Sequence, residues 1–549
     1  MDPKSTSPLL SAAGSALAAG LVAASSLAAP PAPAGGPTPG ASAGKPAAAA
    51  PPASPPASRG PAQKLSIPCE KYKLANGMTV ILHQDRSQPT VVVDALVRVG
   101  SRFEEKKRTG FAHLFEHLMF MGTDRVPTGK FDAFMEAEGG WNNAWTSNDR
   151  TNYYDVAPSN VLPLLLWLEG DRLSSLGATM TQEKLDTQRK VVRNERRQTS
   201  ENEPYGKVEL RLPELLWPVG HPYHHPVIGS HEDLEAATVA DVQGFFASWY
   251  VPRNVTLVIA GDFETVAAKK LVDRYLGSLP DRAPPAAPPA PPAKLAGEVR
   301  ETIEDDVELG KVIVAWHSAA HFAKGDAELD LASTILERGK ASRLYKALVY
   351  DKPLAQSVSA YQSSQDEGSY FGVEAIARPG VSLADLEKAA LAEVSRLVEG
   401  GVTQVELDRA KNQYETSFVT RLQSLQTRAS SLAAYEGSLG EPDAAQRDLD
   451  RYLGATTASV HDAVKSTLGT KGRVVIHVVP RKKAEVAPAA AEKKPAPGVK
   501  PPPAKAADPK PKAPTKAGGG KPADAKPADA KKPSSGKKPA EAKKPAGKK

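Results

Sequence analysis

Between about Ser66 and Pro480 apolar side chains recur with the spacing of strands and helices; outside that window they do not. Residues 72–74 and 78–82 are apolar-rich runs that flank Asn76-Gly77, and this dipeptide suits the positive φ of a tight two-residue turn. The ordered part therefore opens with a hairpin. Val91, Val93, Ala95, Val97 and Val99 alternate onto one face of a following strand. Helical periodicity is expected around His113, over 160–173 and over 182–198. Thr238 with Asp241 three residues on has the form of a capped helix start, and that helix leads to a strand at 255–260.

A Pro/Ala run at 283–293 interrupts the pattern, and the same order of elements then begins again. A strand is expected at 311–316, a helix at 328–336 and strands at 356–361 and 370–377. Long helices open at Ser382 and Thr403, each with an acidic residue three positions later. A helix at 459–468 and a strand at 473–479 close this half as 238–260 closes the first. Two copies of one α+β unit account for the repetition. The expected organisation is one domain at 66–280, a Pro-rich linker at 281–297 and a second domain at 298–480. A chain of 549 residues is too long for one ordinary core, which agrees.

Composition changes the picture at the two ends. Residues 30–65 are almost all Ala, Pro, Gly and Ser, and residues 481–549 are Lys, Pro and Ala. Neither stretch has enough apolar surface to offset its ordering entropy, so both are expected to be disordered. The tail at 481–549 holds 20 Lys and Arg against 6 Asp and Glu, a net +14. With +7 for the whole chain, residues 1–480 carry −7. The body is mildly acidic, which argues against a nucleic-acid-binding surface, and the tail reads as a solvated tether or as an anchor to acidic polymers or membranes. Residues 1–29 combine Lys4, an apolar Ala/Leu run and small residues near Ala28-Ala29, the pattern of an export signal. Export to the periplasm or the extracellular space follows, with membrane tethering if the segment stays uncleaved. The alternative is a further piece of Ala-rich disorder. No other stretch is apolar enough to span a bilayer. The lone Cys69 excludes an internal disulfide framework and a cysteine metal cluster.

The candidate chemistry lies in His113-Leu114-Phe115-Glu116-His117. Helix positions i and i+4 share a face about 6 Å apart, so both imidazoles can reach one tetrahedral ion. Glu116 projects beside them, where a general base must stand to take the proton of an attacking water. The bland alternative is two core histidines and a surface glutamate. A catalytic zinc needs a third protein ligand and an open position. On the helix at 182–198, Leu185, Gln188, Val192 and Glu195 share a face, which would aim Glu195 inward. Its alternative is a surface ion pair with Arg189 or Arg196.

The order H-x-x-E-H, then 77 intervening residues, then Glu resembles the inverzincin metallopeptidases, the pitrilysin, insulysin and mitochondrial-processing-peptidase family. Leu74 to Met78, Gly139 to Ala144, Thr146, Asp149, Thr151, Tyr153, His221-Pro222-Tyr223, the Ala-Gly-Asp-Phe ending at Phe263, and Ser342-Arg343-Leu344 also match that family's pattern. The resemblance implies two homologous α/β sandwich-type domains forming half of a clam shell around Zn2+, with ligands His113, His117 and Glu195. It implies that Asn143-Ala144 lie on an edge strand that pairs with an extended peptide substrate. Three positions depart from the pattern. Gln188 stands where the family has a second Glu, retaining hydrogen bonding but no charge. Val349 and Gln356 stand where active single chains have a substrate-clamping Arg and Tyr. The resemblance therefore implies a second homologous subunit that supplies the Arg/Tyr pair. A non-catalytic peptide-binding or scaffolding paralogue is the rival reading, against which Glu116 speaks. His221 to Pro226 could mimic a metal cluster, but its prolines and lack of acidic neighbours mark it as a surface or packing element.

Overall fold

The computed structural model describes residues 64–481. The signal-like segment, nearly all of the Pro/Ala tether and the basic tail lie outside the described residues. The first half contains strands β1 (Glu70–Lys73), β2 (Thr79–Gln84), β3 (Thr90–Val97), β4 (Trp141–Thr146), β5 (Thr151–Pro158) and β6 (Val255–Gly261). Its helices are α1 (Phe111–Leu118), α2 (Lys130–Ala137), α3 (Leu162–Ser175), α4 (Gln182–Arg196), α5 (Lys207–Leu216), α6 (His231–Ala236), α7 (Val239–Trp249) and α8 (Thr265–Leu276). The second half contains strands β7 (Glu298–Asp305), β8 (Lys311–Ser318), β9 (Ala355–Ser363), β10 (Ser369–Ala377) and β11 (Arg473–Pro480). Its helices are α9 (Asp326–Glu337), α10 (Leu383–Gly400), α11 (Gln404–Arg421), α12 (Leu425–Leu439), α13 (Ala445–Leu453) and α14 (Thr457–Leu468).

The hairpin forms as expected, but its turn centres on Ala75-Asn76: the Gly77 N–H donates to the Leu74 carbonyl at 2.9 Å, and Gly77 at φ +85° is the left-handed residue that follows, between antiparallel β1 and β2. Thr238 and Asp241 make a reciprocal capping box on α7, and Thr403 and Glu406 make another on α11. The first sheet runs β1-β2-β6-β3-β5-β4 and the second β7-β11-β8-β10-β9. With β1 set aside, both place their strands in the order first, fifth, second, fourth, third. Both pair the first with the fifth in parallel and all others antiparallel. The repetition read from the sequence is thus a repetition of topology, in a mixed α/β fold.

The alternation at 91–99 identifies one apolar face, and β3 is buried on both faces. Val91, Val93, Ala95 and Val97 face a core with α1 and α3, while Val92 and Leu96 pack with Leu432 and Ala433 of α12. The helix covering the back of the first sheet thus comes from the second half. The converse also holds: Ile313, Ala315, Val474 and Ile476 on the back of the second sheet pack against Leu212 and Leu216 of α5. Each fully buried Leu or Val contributes about 1.5–3 kcal/mol, so this exchange of helices ties the halves together. The Pro/Ala stretch between them runs without helix or strand, and Ala293 and Leu295 at its end pack beside the second sheet.

Candidate metal centre

Helix α1 begins at a glycine. Gly110 has φ +86° and offers no side-chain cap, and a Cβ there would come within 2.7 Å of the Ile228 carbonyl oxygen. The capping role falls instead to the buried carboxylate of Glu104, which accepts the N–H groups of Gly110 and Ala112 at 2.8 Å each. The expected amphipathic helix is in fact enclosed nearly all round: Phe111, Leu114, Phe115 and Leu118 are core residues, and His113 and Glu116 are buried beside them. His117 alone is partly open. The site is therefore cut into the core, with His117 and Glu195 partly open to solvent.

Helix α4 supplies the third donor. Thr181 caps it, and Leu185 and Val192 anchor it in the core. Glu195, one turn beyond Val192, is thereby turned toward α1. Its carboxylate oxygens lie 3.7 Å from His113 Nε2 and 3.2 Å from His117 Nε2, and the three donor atoms lie within 4.8 Å of one another. Ligands 2.0–2.1 Å from one tetrahedral ion stand about 3.4 Å apart, so the two Glu195 contacts are already near ligand spacing, and the widest donor pair must draw together for all three side chains to hold one zinc ion. Among the described residues this is the single group of three or more such side chains. The rival surface pairings of Glu195 are not used: Arg189 engages Asp186, and Arg196 engages Glu201.

The protonation states of His113 and Glu195 suit ligation, whereas His117 must give up its proton to bind a metal. Burial, reinforced by the charge of His117, pushes His113 down to about 4 and keeps its ring neutral. For His117 burial acts downward, but the hydrogen bond and charge of Glu195 and the charge of Glu116 outweigh it and raise the imidazole. For Glu195 burial acts upward, and the two histidines overcome it, holding the carboxylate below its ordinary range.

Glu116 sits beside this group. Burial pushes its carboxyl up to about 7, against the hydrogen bond from Thr146 and the charge of His117. Thr146 Oγ1 donates to Glu116 Oε2 at 2.5 Å. A carboxyl poised near neutrality and held in one orientation has the properties of a general base. Sequence reasoning noted Thr146 only as part of a motif and missed this contact. The signal was available, since Asn142, Ala144 and Thr146 alternate onto one face of a strand.

Asn143 and Ala144 lie on β4, the outermost strand of the first sheet, which packs beside α1. The Ala144 N–H donates to the Asn143 side-chain oxygen at 2.8 Å. Gln188 reaches the site through a hydrogen bond to His117 and also contacts Met121 Sδ at 2.7 Å. Val349 lies in the wide helical turn Tyr345–Asp351, and Gln356 on β9, the outer strand of the second sheet. His221 and Tyr223 are buried, not at the surface, and Tyr223 packs beneath the second sheet. Their loop is a packing element.

Comparison with known proteins bears on the fold and the family. Residues 79–220 match the description Insulinase (Peptidase family M16), and residues 236–414 match Peptidase M16 inactive domain. The chain is 30 % identical over 370 residues to the zinc protease PqqE of Helicobacter pylori, covering 67 % of this chain and 83 % of that protein. It is 26 % identical over 371 residues to a probable mitochondrial-processing peptidase subunit beta of Arabidopsis thaliana, covering 64 % of this chain and 66 % of that one. A crystal structure of a protease from Helicobacter pylori superposes with a TM-score of 0.71 at 27 % identity, covering 76 % of this chain and all of the other. The first half of the periplasmic protease PqqL from Escherichia coli shares the fold, with a TM-score of 0.62 at 19 % identity, 75 % of this chain and 92 % of that one being covered. The chain belongs to peptidase family M16, the insulinase/pitrilysin-like family.

Proposed function

We propose that this chain is the zinc-binding catalytic subunit of an exported peptidase acting on extended polypeptides. The observation that carries the reading is the convergence of His113, His117 and Glu195 within 4.8 Å, with the Glu116 carboxylate held beside them by Thr146. When bound, zinc would supply Lewis acidity and lower the pKa of water. The chain's own residues do the remainder. Glu116 takes the proton of the attacking water and returns it to the leaving amine. Thr146 fixes which carboxylate oxygen faces the reaction. The free edge of β4 at Asn143-Ala144 receives the substrate backbone as an added strand, which selects extended chains over folded ones. The match to an inactive-domain description falls on residues 236–414, most of which lie in the half without the motif, and so does not weigh against Glu116.

Export is supported by the charged, apolar and small-residue succession at the N-terminus and by the periplasmic placement named for PqqL. No helix among the described residues is long and apolar enough to cross a membrane. The proposed requirement for a second, homologous subunit rests on Val349, which cannot donate to a developing oxyanion, and on Gln356, which donates without the geometry of a phenol. A non-catalytic paralogue is the second reading, favoured by those two residues and by Gln188. Glu116→Gln separates the two: it should retain one zinc per chain and abolish peptide cleavage, whereas Glu195→Gln should lower zinc occupancy. Undiminished hydrolysis by the Glu116→Gln protein would refute the mechanism.

A further inference from the structure

The turn joining β4 to β5 is gripped from the second half of the chain. Asp149 is buried there, and its Oδ1 accepts from the Tyr223 hydroxyl at 2.5 Å and lies 3.1 Å from the Arg102 guanidinium. Its Oδ2 accepts from the backbone N–H of Asp366 at 3.2 Å. The next residue, Arg150, pairs with the Asp366 carboxylate at 2.9 Å. The Tyr223 hydroxyl in turn accepts the Glu367 N–H at 3.0 Å, and Glu367 pairs with Arg102. Asp366 and Glu367 belong to the loop between β9 and β10, in the other sheet. That loop is itself fitted closely: Gly368 has φ +139°, and a Cβ there would meet the Trp217 ring at 3.0 Å. The His221-Pro222-Tyr223 motif is thus the middle layer of a clasp between two hairpin tips.

This clasp lies three residues from Thr146, in the turn that ends β4. β4 is an outer strand, held by β5 on one side only, so its register and tilt depend on how its ends are fixed. We propose that Asp366 and Glu367 are positioning residues for the active site. By holding Asp149 and Arg150 they set the path of β4, and through it the Asn143-Ala144 edge and the Thr146 hydroxyl that orients Glu116. On this view the half without the zinc motif is a strut for the chemistry of the other half. The catalytic part of the inference rests on the peptidase reading; the mechanical part does not.

The test is a double-mutant cycle on the Arg150–Asp366 ion pair with Arg150→Met, Asp366→Asn and both together. Asp366→Asn keeps the backbone N–H that Asp149 accepts, so the rest of the clasp survives. Three quantities are read on the full chain: amide hydrogen exchange at residues 141–146, zinc per chain, and peptide turnover in the presence of whatever subunit the parent requires. Each single variant should speed exchange at 141–146 by roughly tenfold, with the double variant no faster than either. Exchange across β8 and zinc content should stay at parental values, and kcat should fall with KM little changed. Unaltered exchange at 141–146, or effects that simply add in the double variant, would overturn the clasp. Faster exchange together with a zinc-loaded parent that cleaves nothing would support the clasp and overturn the peptidase reading.

Discussion

Replacing Thr146 by Val tests the site at the contact that sequence motifs do not explain. Valine keeps the β-branched outline and the β propensity of the strand, and removes only the hydroxyl. That hydroxyl donates to Glu116 at 2.5 Å and stands 3.4 Å from the Thr151 hydroxyl, and Glu116 is almost wholly enclosed. A hydrogen bond to a charged, buried group is worth about 1.5–3 kcal/mol. At about 1.4 kcal/mol per factor of ten, kcat should fall roughly ten- to 150-fold. Because the lost bond favours the ionised carboxyl, the acidic limb of the rate profile should also move to higher pH. Zinc content should be unchanged, since Thr146 touches none of the three proposed ligands. Thr146→Ser, which restores a donor, should recover most of the rate. The assay is steady-state cleavage of an extended fluorogenic peptide from pH 5 to 9, with metal analysis of each preparation. Parental kcat in the Val protein, or a loss of zinc matching the loss of rate, would show that Thr146 does not act through Glu116.

Three further outcomes follow from other parts of the molecule. Val349→Arg with Gln356→Tyr should raise the turnover of the isolated zinc-loaded chain on the order of 10²–10³-fold if the missing donors are what limits it; full activity of the parent alone, unimproved by the pair, would refute the two-subunit requirement. Leu432→Ala on α12 should lower the urea midpoint by the equivalent of about 2–5 kcal/mol. Because Leu432 packs on the back of the first sheet, it should do so in a single transition shared by both halves, and two separated transitions would contradict the interlock. Asp94 on β3 is fully enclosed, accepts from Asn152 and Ser430, and is pushed up to about 7 by burial. Its folded value lies above its unfolded one, so the native state binds the proton more tightly. Its contribution is therefore fully present below about pH 4 and is lost as pH rises toward 7, by about 1.4 kcal/mol per unit. Asp94→Asn should flatten that decline, measured as denaturation midpoints at pH 5 and 7.5, and an identical slope in both proteins would exclude Asp94 as its source.

What the sequence determined by itself was whatever depends on neighbours a few residues apart. The placement of His113, Glu116 and His117 on one short helix follows from the 3.6-residue repeat. The glycine at 77 follows from its positive φ, though the turn itself centres one residue earlier, and the starts of α7 and α11 follow from side chains that reach three residues along. The repetition was legible in part, because each half closes with the same helix and strand, but β4, β5 and β7 were not read from periodicity and the order of strands in the sheets was not legible. Tertiary structure alone decided the contacts made across long stretches of chain. Whether β3 has one buried face or two depends on α12, more than 300 residues away, and alternation along the strand carries no information about a second covering layer. Glu104 caps α1 because a loop folds it back over the helix start, where the local sequence offers only Gly110. Glu195 was nominated by its helix face, but its meeting with the two histidines required α4 to pack on α1. Thr146 reaches Glu116, and Asp149 reaches Asp366, only once the outer strand has been added to its sheet and the two hairpin tips brought together. Such pairings are selected by packing and by closure of long loops, free-energy terms that belong to the whole chain and leave no periodic trace in any window of it.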